Sequence, residues 1–175
     1  MPSRLLVALA ALAAVLAGVV GWANLADSPP LPAGAVADRV VVDKRAHTLT
    51  LLRHGATLKA YRVSLGGHPA GHKREEGDER TPEGVYRIDS RNARSSAHLA
   101  LHVSYPNPAD AARARARGVR PGGLIMVHGM LNGLGWLGRL HRLMDWTDGC
   151  VAVTNREMDE IWRAVPVGTP IEIRP

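Results

Sequence analysis

The sequence predicts a single, mainly β domain of the α+β class, with two or three helices packed on its sheet, behind an N-terminal apolar segment. Three observations carry this. From Arg39 onward the chain breaks into short pieces rich in Val, Leu, Ile and Thr separated by polar turns, which is the pattern of strands. Two stretches instead carry N-cap signals followed by helical spacing. Leu5 to Trp22, LLVALAALAAVLAGVVGW, contains no charged or strongly polar side chain, whereas the remainder is polar and basic. At 175 residues there is room for one domain of ordinary size. Hydrophobic residues at 46% and charged residues at 22% exclude both wholesale disorder and a multi-span membrane protein. Phe is absent, so the core is expected from Val, Leu, Ile, Ala and Met.

The apolar run follows Arg4, and small residues come after it at Gly21-Trp22-Ala23 and Ala26. That is the layout of an export signal. The run also has the minimum length for crossing a bilayer, so a cleaved signal and an uncleaved anchor over residues 1–26 both stay open. The Pro-rich Asp27 to Gly34, DSPPLPAG, reads as a linker, placed at 27–37. The working domain is 38–175.

Within it, Val40 to Val42, Thr48 to Leu52 and Tyr61 to Leu65 read as an antiparallel meander, with turns at Asp43 to His47 and His54-Gly55. Gly66 to Gly84 is rich in Gly, Pro and charge, and Thr81-Pro82-Glu83-Gly84 suits a type I turn into a strand at Val85 to Ile88. His98 to Val103 alternates, with His98 and His102 on its polar face. A helix opens at Asn107, with Pro108 in the first turn, and closes at Arg115 and Arg117 before Gly118. Leu124 to Val127 and Val151 to Val153 read as buried strands and Pro170 to Arg174 as a terminal one. Thr154 and Glu157 have capping-box spacing for a second helix whose apolar face is Met158, Ile161, Trp162 and Val165. No internal repeat is visible.

The net charge of +6 points to an anionic neighbour. No RNP-type aromatic motif or zinc finger accompanies it, so nucleic acid is not expected. The single cysteine, Cys150, excludes an internal disulfide and a thiolate zinc site. It is either a small buried hydrophobe or a reactive thiol. His128 ends the strand before a long glycine-bearing loop, Gly129 to Gly149, and Cys150 precedes the strand after it. If the two strands are antiparallel neighbours, both side chains reach one edge of the sheet; a parallel arrangement would separate them. A thiol of ordinary pKa, about 8.5, is only a few per cent thiolate at neutral pH, and a positioned imidazole can take its proton or pair with the thiolate. Gly149 adds a backbone free to turn its amide toward an oxyanion.

Val127-His128-Gly129, together with Asp145-Trp146-Thr147-Asp148-Gly149-Cys150-Val151-Ala152-Val153, resembles the active-site signature of the L,D-transpeptidase (YkuD) catalytic domain family. The likeness extends through Ser104-Tyr105-Pro106-Asn107, Pro121-Gly122-Gly123 and Thr81 to Tyr86, back to the Val40 to Tyr61 hairpin. The resemblance implies a YkuD-like β-sandwich or mixed sheet holding the cysteine in a cleft. It also implies attack on the amide after the diamino-acid residue of a peptidoglycan stem peptide, with the acyl group passing to an amine of another stem or of an envelope protein. Carried onto this chain, Cys150 is the nucleophile and His128 the base, while the Gly149 and Cys150 amides are oxyanion donors. The substrate-facing set is Tyr105, Gly129, Trp146, Thr147 and Asp148, and no cofactor is called for. Asp148 stands where His is frequent and Ala152 where Asn or Arg is frequent.

A carboxylate facing the thiol would raise its pKa, so Asp148 is expected to point away, free to hold a substrate ammonium, as is Asp145. His141 is the rival base, expected to be exposed between Arg139 and Arg142. His68 and His72 lack helical backbone for metal ligation because of Pro69 and Gly71. Tyr105 is a cleft wall or a core tyrosine, and Trp136 and Trp146 a lid or the loop's own anchors. Arg113, Arg115 and Arg117 form no single stripe. Two other functions remain beside acyl transfer: a cysteine hydrolase, in which water resolves the same acyl-enzyme, and a non-catalytic basic envelope-binding module. A papain-like peptidase has its cysteine before its histidine, and a sortase needs an arginine after the cysteine. The implied setting is the periplasm or cell envelope, with residues 5–22 a candidate contact to the inner membrane.

Overall fold

The structure is a computed structural model that describes residues 4–25 and 29–175. The expected junction between apolar segment and linker, at 26/27, lies outside the described residues. The elements are α1 (Arg4–Ala23), β1 (Arg39–Asp43), β2 (Thr48–Arg53), β3 (Ala56–Arg62), β4 (Gly84–Ser95), β5 (His98–Val103), α2 (Pro108–Ala116), β6 (Met126–His128), β7 (Val151–Ala152), α3 (Asn155–Ala164) and β8 (Pro170–Arg174), with a 3-10 segment at Gly135–Leu143. Eight strands form one mixed sheet in the order β3-β2-β1-β8-β4-β5-β6-β7. The α+β class is as the sequence indicated.

Local chemistry accounts for the element ends. His54 and Gly55 both have positive φ, +50° and +80°, the conformation of a two-residue hairpin turn whose twist matches its strands. Asn107 and Asp110 exchange side-chain and backbone hydrogen bonds at the start of α2, and Thr154 and Glu157 do the same for α3. These capping boxes satisfy amides that the first helical turn leaves unpaired.

Three strands depart from expectation; one is β6, which starts at Met126 rather than Leu124, a residue left exposed with φ +56°. β3 begins at Ala56, immediately after the turn, and ends at Arg62. Its first half is an exposed edge with no apolar alternation to reveal it. Val63 to Leu65 then leaves β2, and Ser64 forms an antiparallel bridge with Ala152 of β7. The chain emerging from one edge of the sheet thereby closes on the other. β4 runs on from Ile88 to Ser95 through a polar, exposed stretch. Its first half pairs with β8 and its second with β5, so one long strand joins the two halves of the sheet.

Leu49, Leu51, Leu65, Ile88, Leu101, Ile125, Met158, Ile161, Ile171 and Ile173 are fully buried between these layers, each stabilising the fold by roughly 1.5–3 kcal/mol. The aliphatic expectation omitted the tyrosines. Tyr61, Tyr86 and Tyr105 are all in the core, each donating its hydroxyl inside, to Glu160 (3.1 Å), Asp110 (3.1 Å) and the Pro121 carbonyl (3.0 Å).

Candidate active site

β6 and β7 are parallel neighbours, with Val127 opposite Val151 and His128 opposite Ala152. The antiparallel geometry on which sequence reasoning relied is therefore absent, but the separation expected of a parallel pair does not follow either. The strands are only three and two residues long. By that register Cys150 stands level with Met126, two positions from His128, and alternation puts both side chains on one face as diagonal neighbours. Short strands make their beginnings and ends adjacent.

His128 is buried, and its Nδ1–H donates to the Gly129 carbonyl at 2.6 Å. That bond assigns the proton to Nδ1 and leaves the Nε2 lone pair to accept. Burial pushes the His128 pKa below its ordinary value, with the Gly129 carbonyl opposing. The imidazole is neutral at neutral pH. Burial also pushes the Cys150 thiol up, and the exposed Asp148 carboxylate adds to this, while the Met126 backbone amide and Lys73 pull it down. The half-buried sulfur donates to the Leu124 carbonyl at 3.5 Å. The resting pair is thus a thiol and a neutral imidazole rather than a thiolate–imidazolium ion pair.

The turn ahead of Cys150 is tightly bonded. Thr147 Oγ1 donates to the Cys150 carbonyl (2.8 Å) and accepts from the Gly149 amide (3.2 Å). Gly149 has φ +117°, and a Cβ there would lie 2.5 Å from the Arg80 carbonyl oxygen, so only glycine fits. Facing it is the 66–84 loop, built around Asp78. That carboxylate accepts from Lys73 Nζ (2.8 Å) and from the amides of Arg74 (2.6 Å), Glu75 (3.2 Å) and Arg80 (3.1 Å). Burial works against its ionisation, yet these donors outweigh burial and hold it below the usual carboxylate range. Lys73 is itself buried, which is how a lysine distant in sequence comes to influence the thiol. The only sequence signal for this was the charge density of the loop.

Several residues of the expected substrate-facing set lie inside the protein, bonded to its own groups. Tyr105 is a core residue, 4% exposed, with its hydroxyl spent on Pro121; its pKa is pushed up to about 12 by burial and by nearby Asp110. Gly129 is buried, and a Cβ on it would meet Asn155 Oδ1 at 2.8 Å; its carbonyl orients His128. Thr147 is buried and its hydroxyl serves the turn. The Gly149 amide, expected as an oxyanion donor, is bonded to that hydroxyl. Asp145 accepts from the Leu65 amide (2.7 Å) and from His47 Nε2 (2.9 Å), and so fastens the 63–67 strap. Of the expected set, Trp146 and Asp148 keep surface beside Cys150, half-buried and exposed respectively.

Trp146 packs edge-on against His128 and His141, with centroids 5.8 and 6.4 Å apart. His141 is buried, 5% exposed, contrary to the exposed position expected from its arginine neighbours. Ser64 Oγ donates to the His141 carbonyl and accepts from its Nδ1, both at 3.0 Å. Burial, with Arg142 and His128 adding to it, lowers the His141 pKa to about 4. Trp136 is 55% exposed. The remaining histidines pair with acids: His54 with Asp38 (3.5 Å), His68 with Glu79 (3.1 Å), His72 with Asp110 (3.2 Å), His98 with Asp159 (2.8 Å) and His102 with Asp89 (2.6 Å). Among the described residues no group of three or more His, Cys, Asp or Glu side chains is arranged to hold a metal ion.

A mixed sheet closed by a strap, with a histidine and a cysteine at the adjoining ends of two short parallel strands, defines a class of cysteine-bearing α+β domain. Residues 37–173 match the YkuD family, the L,D-transpeptidase catalytic domain, and the chain belongs to it. Over 110 residues it is 28% identical to the Escherichia coli (strain K12) protein YafK, which carries a provisional L,D-transpeptidase name. That stretch is 62% of this chain and 37% of YafK, so the chain spans well under half of the relative it matches. Among solved structures it resembles the helical cell shape determining protein Pgp2 of Campylobacter jejuni, with a TM-score of 0.61 and 19% identity, covering 89% of this chain and 53% of that one. It also resembles Bd1075 of Bdellovibrio bacteriovorus, with a TM-score of 0.54 and 23% identity over 82% and 50% of the two chains. These likenesses establish the shared fold.

Proposed function

We propose that this domain is an L,D-transpeptidase-type cysteine acyltransferase acting on peptidoglycan stem peptides, with Cys150 as nucleophile and His128 as base. Family membership supports a peptidoglycan-modifying enzyme, and the cell-shape role in the name of Pgp2 is consistent with a wall substrate. The observation that carries the assignment is the His128 Nδ1–Gly129 bond, which leaves Nε2 as the acceptor in a residue diagonal to Cys150. As sulfur attacks the stem-peptide carbonyl, Nε2 takes the thiol proton. The Cys150 amide donates to the developing oxyanion. Collapse of the tetrahedral intermediate breaks the C–N bond, His128 returns the proton to the departing amine, and a thioester remains. An acceptor amine, of a second stem or of an envelope protein, then attacks the thioester and regenerates the thiol. The same thioester opened by water gives hydrolysis. Residues 1–26 act as export signal or anchor and 27–37 as a linker, placing the 38–175 domain in the envelope.

The test is acylation by a stem tetrapeptide or a carbapenem, followed by intact mass. The native chain should gain one adduct and Cys150→Ala none; an adduct on the variant would overturn the assignment. His128→Ala should remove most of the rate while His141→Ala does not, and the reverse would exchange their roles. Labelled tetrapeptide with and without an amine acceptor then separates transfer from hydrolysis.

A further inference from the structure

The C-terminal end of α1 is seated on the loop that joins His128 to Cys150. Asn24 Nδ2 donates to the carbonyl of Trp136 at 2.8 Å. Arg139 donates to the Trp22 carbonyl, and its guanidinium stands 4.3 Å over the Trp22 ring. Ala23 is fully buried against Gly138. Gly138 has φ +48°, ψ −131°, and a Cβ there would sit 2.3 Å from the Ala23 carbonyl oxygen. That backbone conformation belongs to glycine, and the contact it permits is backbone against backbone. Three consecutive residues of the helix end thus meet a single short segment.

Everything N-terminal to this seat is suited to lipid. α1 has 20 residues, without a charged side chain after Arg4, and its apolar stretch is exposed along its length. A helix of that length spans about 30 Å, the thickness of a bilayer's hydrocarbon core. Exposed leucines and valines over such a length do not persist in water without a partner. Trp22 and Trp136, both more than half exposed, and Arg139 lie at the helix end, where tryptophan and arginine anchor spans at the headgroup level. Beside the seat, a cavity of about 240 Å³ is lined by Ala23, Leu25, Arg139, Arg142, Arg156 and Glu157. It includes neither His128 nor Cys150. Arg142 pairs with Glu157 there, and Lys59, also in the lining, pairs with Glu160.

We propose that α1 is a retained bilayer anchor and that the Gly135–Leu143 segment rests in the headgroup layer, with the phospholipid interface as its partner. The loop between His128 and Cys150 is then held at the membrane surface. This does not rest on the acyl-transfer chemistry, and either reading can fail alone.

The test uses the full chain reconstituted in phosphatidylcholine/phosphatidylglycerol vesicles whose acyl chains carry bromine either near the headgroup or near the chain end. The emission of Trp136 is obtained by difference from Trp136→Phe and that of Trp22 from Trp22→Phe. Trp136 should lose emission with the shallow bromines and keep it with the deep ones. Gly138→Ala and Asn24→Ala should each restore part of the Trp136 emission while Trp22 stays quenched; Asn24→Ala keeps the test readable if Gly138→Ala does not fold. A Trp136 unquenched by either lipid, or equally quenched in both variants, would overturn the proposal. So would recovery of an exported chain lacking α1.

Discussion

Thr147→Val isolates what the hydroxyl of the signature does. The substitution keeps the branched shape of the side chain and removes one oxygen. That oxygen accepts from the Gly149 amide at 3.2 Å and donates to the Cys150 carbonyl at 2.8 Å, in a residue 5% exposed. The variant leaves a backbone donor and a backbone acceptor unpaired inside the protein, at a cost of about 1–3 kcal/mol each. Some relaxation toward water is available because Cys150 is half-buried, so the loss should be about 3 kcal/mol in total rather than the upper sum. For a domain of this size that lowers Tm by roughly 10 °C. The same two bonds set the path of the backbone into Cys150, so the carbapenem acylation rate should fall with the Tm. Thermal unfolding and stopped-flow acylation of the native chain, Thr147→Val and Thr147→Ser measure both. Serine should restore most of the Tm and most of the rate. A valine variant with native Tm and native rate would refute the assignment of the hydroxyl to the turn. Native Tm with a lost rate, rescued by serine, would return Thr147 to the substrate-facing set.

The pH dependence of acylation follows from the neutral resting pair. His128 titrates below its ordinary value of about 6.5 because it is buried, so the rate should stay level through neutral pH and fall only once the solution is more acidic than that; a rate halved near pH 7 would contradict it. His141 should make stability pH-dependent in the same region. Its pKa is about 4 folded against 6.5 unfolded, so the unfolded chain binds the extra proton between those values, and up to roughly 3 kcal/mol is lost as pH falls through that window. His141→Gln should flatten the fall of Tm from pH 6.5 to pH 4, and an unchanged slope would place the loss elsewhere. Trp146→Phe should retain the edge contact that packs on His128, whereas Trp146→Ala should slow acylation with little change in its pH profile; a shifted acid limb in the alanine variant would show that the indole controls the imidazole pKa rather than its position.

What could be read from the residues alone was whatever neighbouring residues encode together. Both capping boxes, Asn107 with Asp110 and Thr154 with Glu157, close within four residues, and both helices begin where those signals stand. The His54-Gly55 turn is likewise local. The family signature around His128 and Cys150 is a contiguous motif, so family, fold class and the two candidate reactive residues were all visible in one dimension. The exposed half of β3 and the polar half of β4 were not, because a strand segment that stands clear of the core needs no apolar alternation to form.

The tertiary structure decided which partner each polar group takes. Nothing near Asp145 in sequence announces that Leu65 and His47 will claim its oxygens, or that Ser64 will bury His141. Tyr105, Gly129 and Thr147 lie buried, which a motif cannot show because it records residue type and not direction. Strand pairing is also non-local: the chain between His128 and Cys150 can return to make either a parallel or an antiparallel pair. Only the register, with His128 beside Ala152, shows that a parallel pair of very short strands sets the two residues on one face. Hydrogen bonds and registers across a sheet are settled by which segments pack together, and that is decided by burial of the whole core rather than by any window of the sequence.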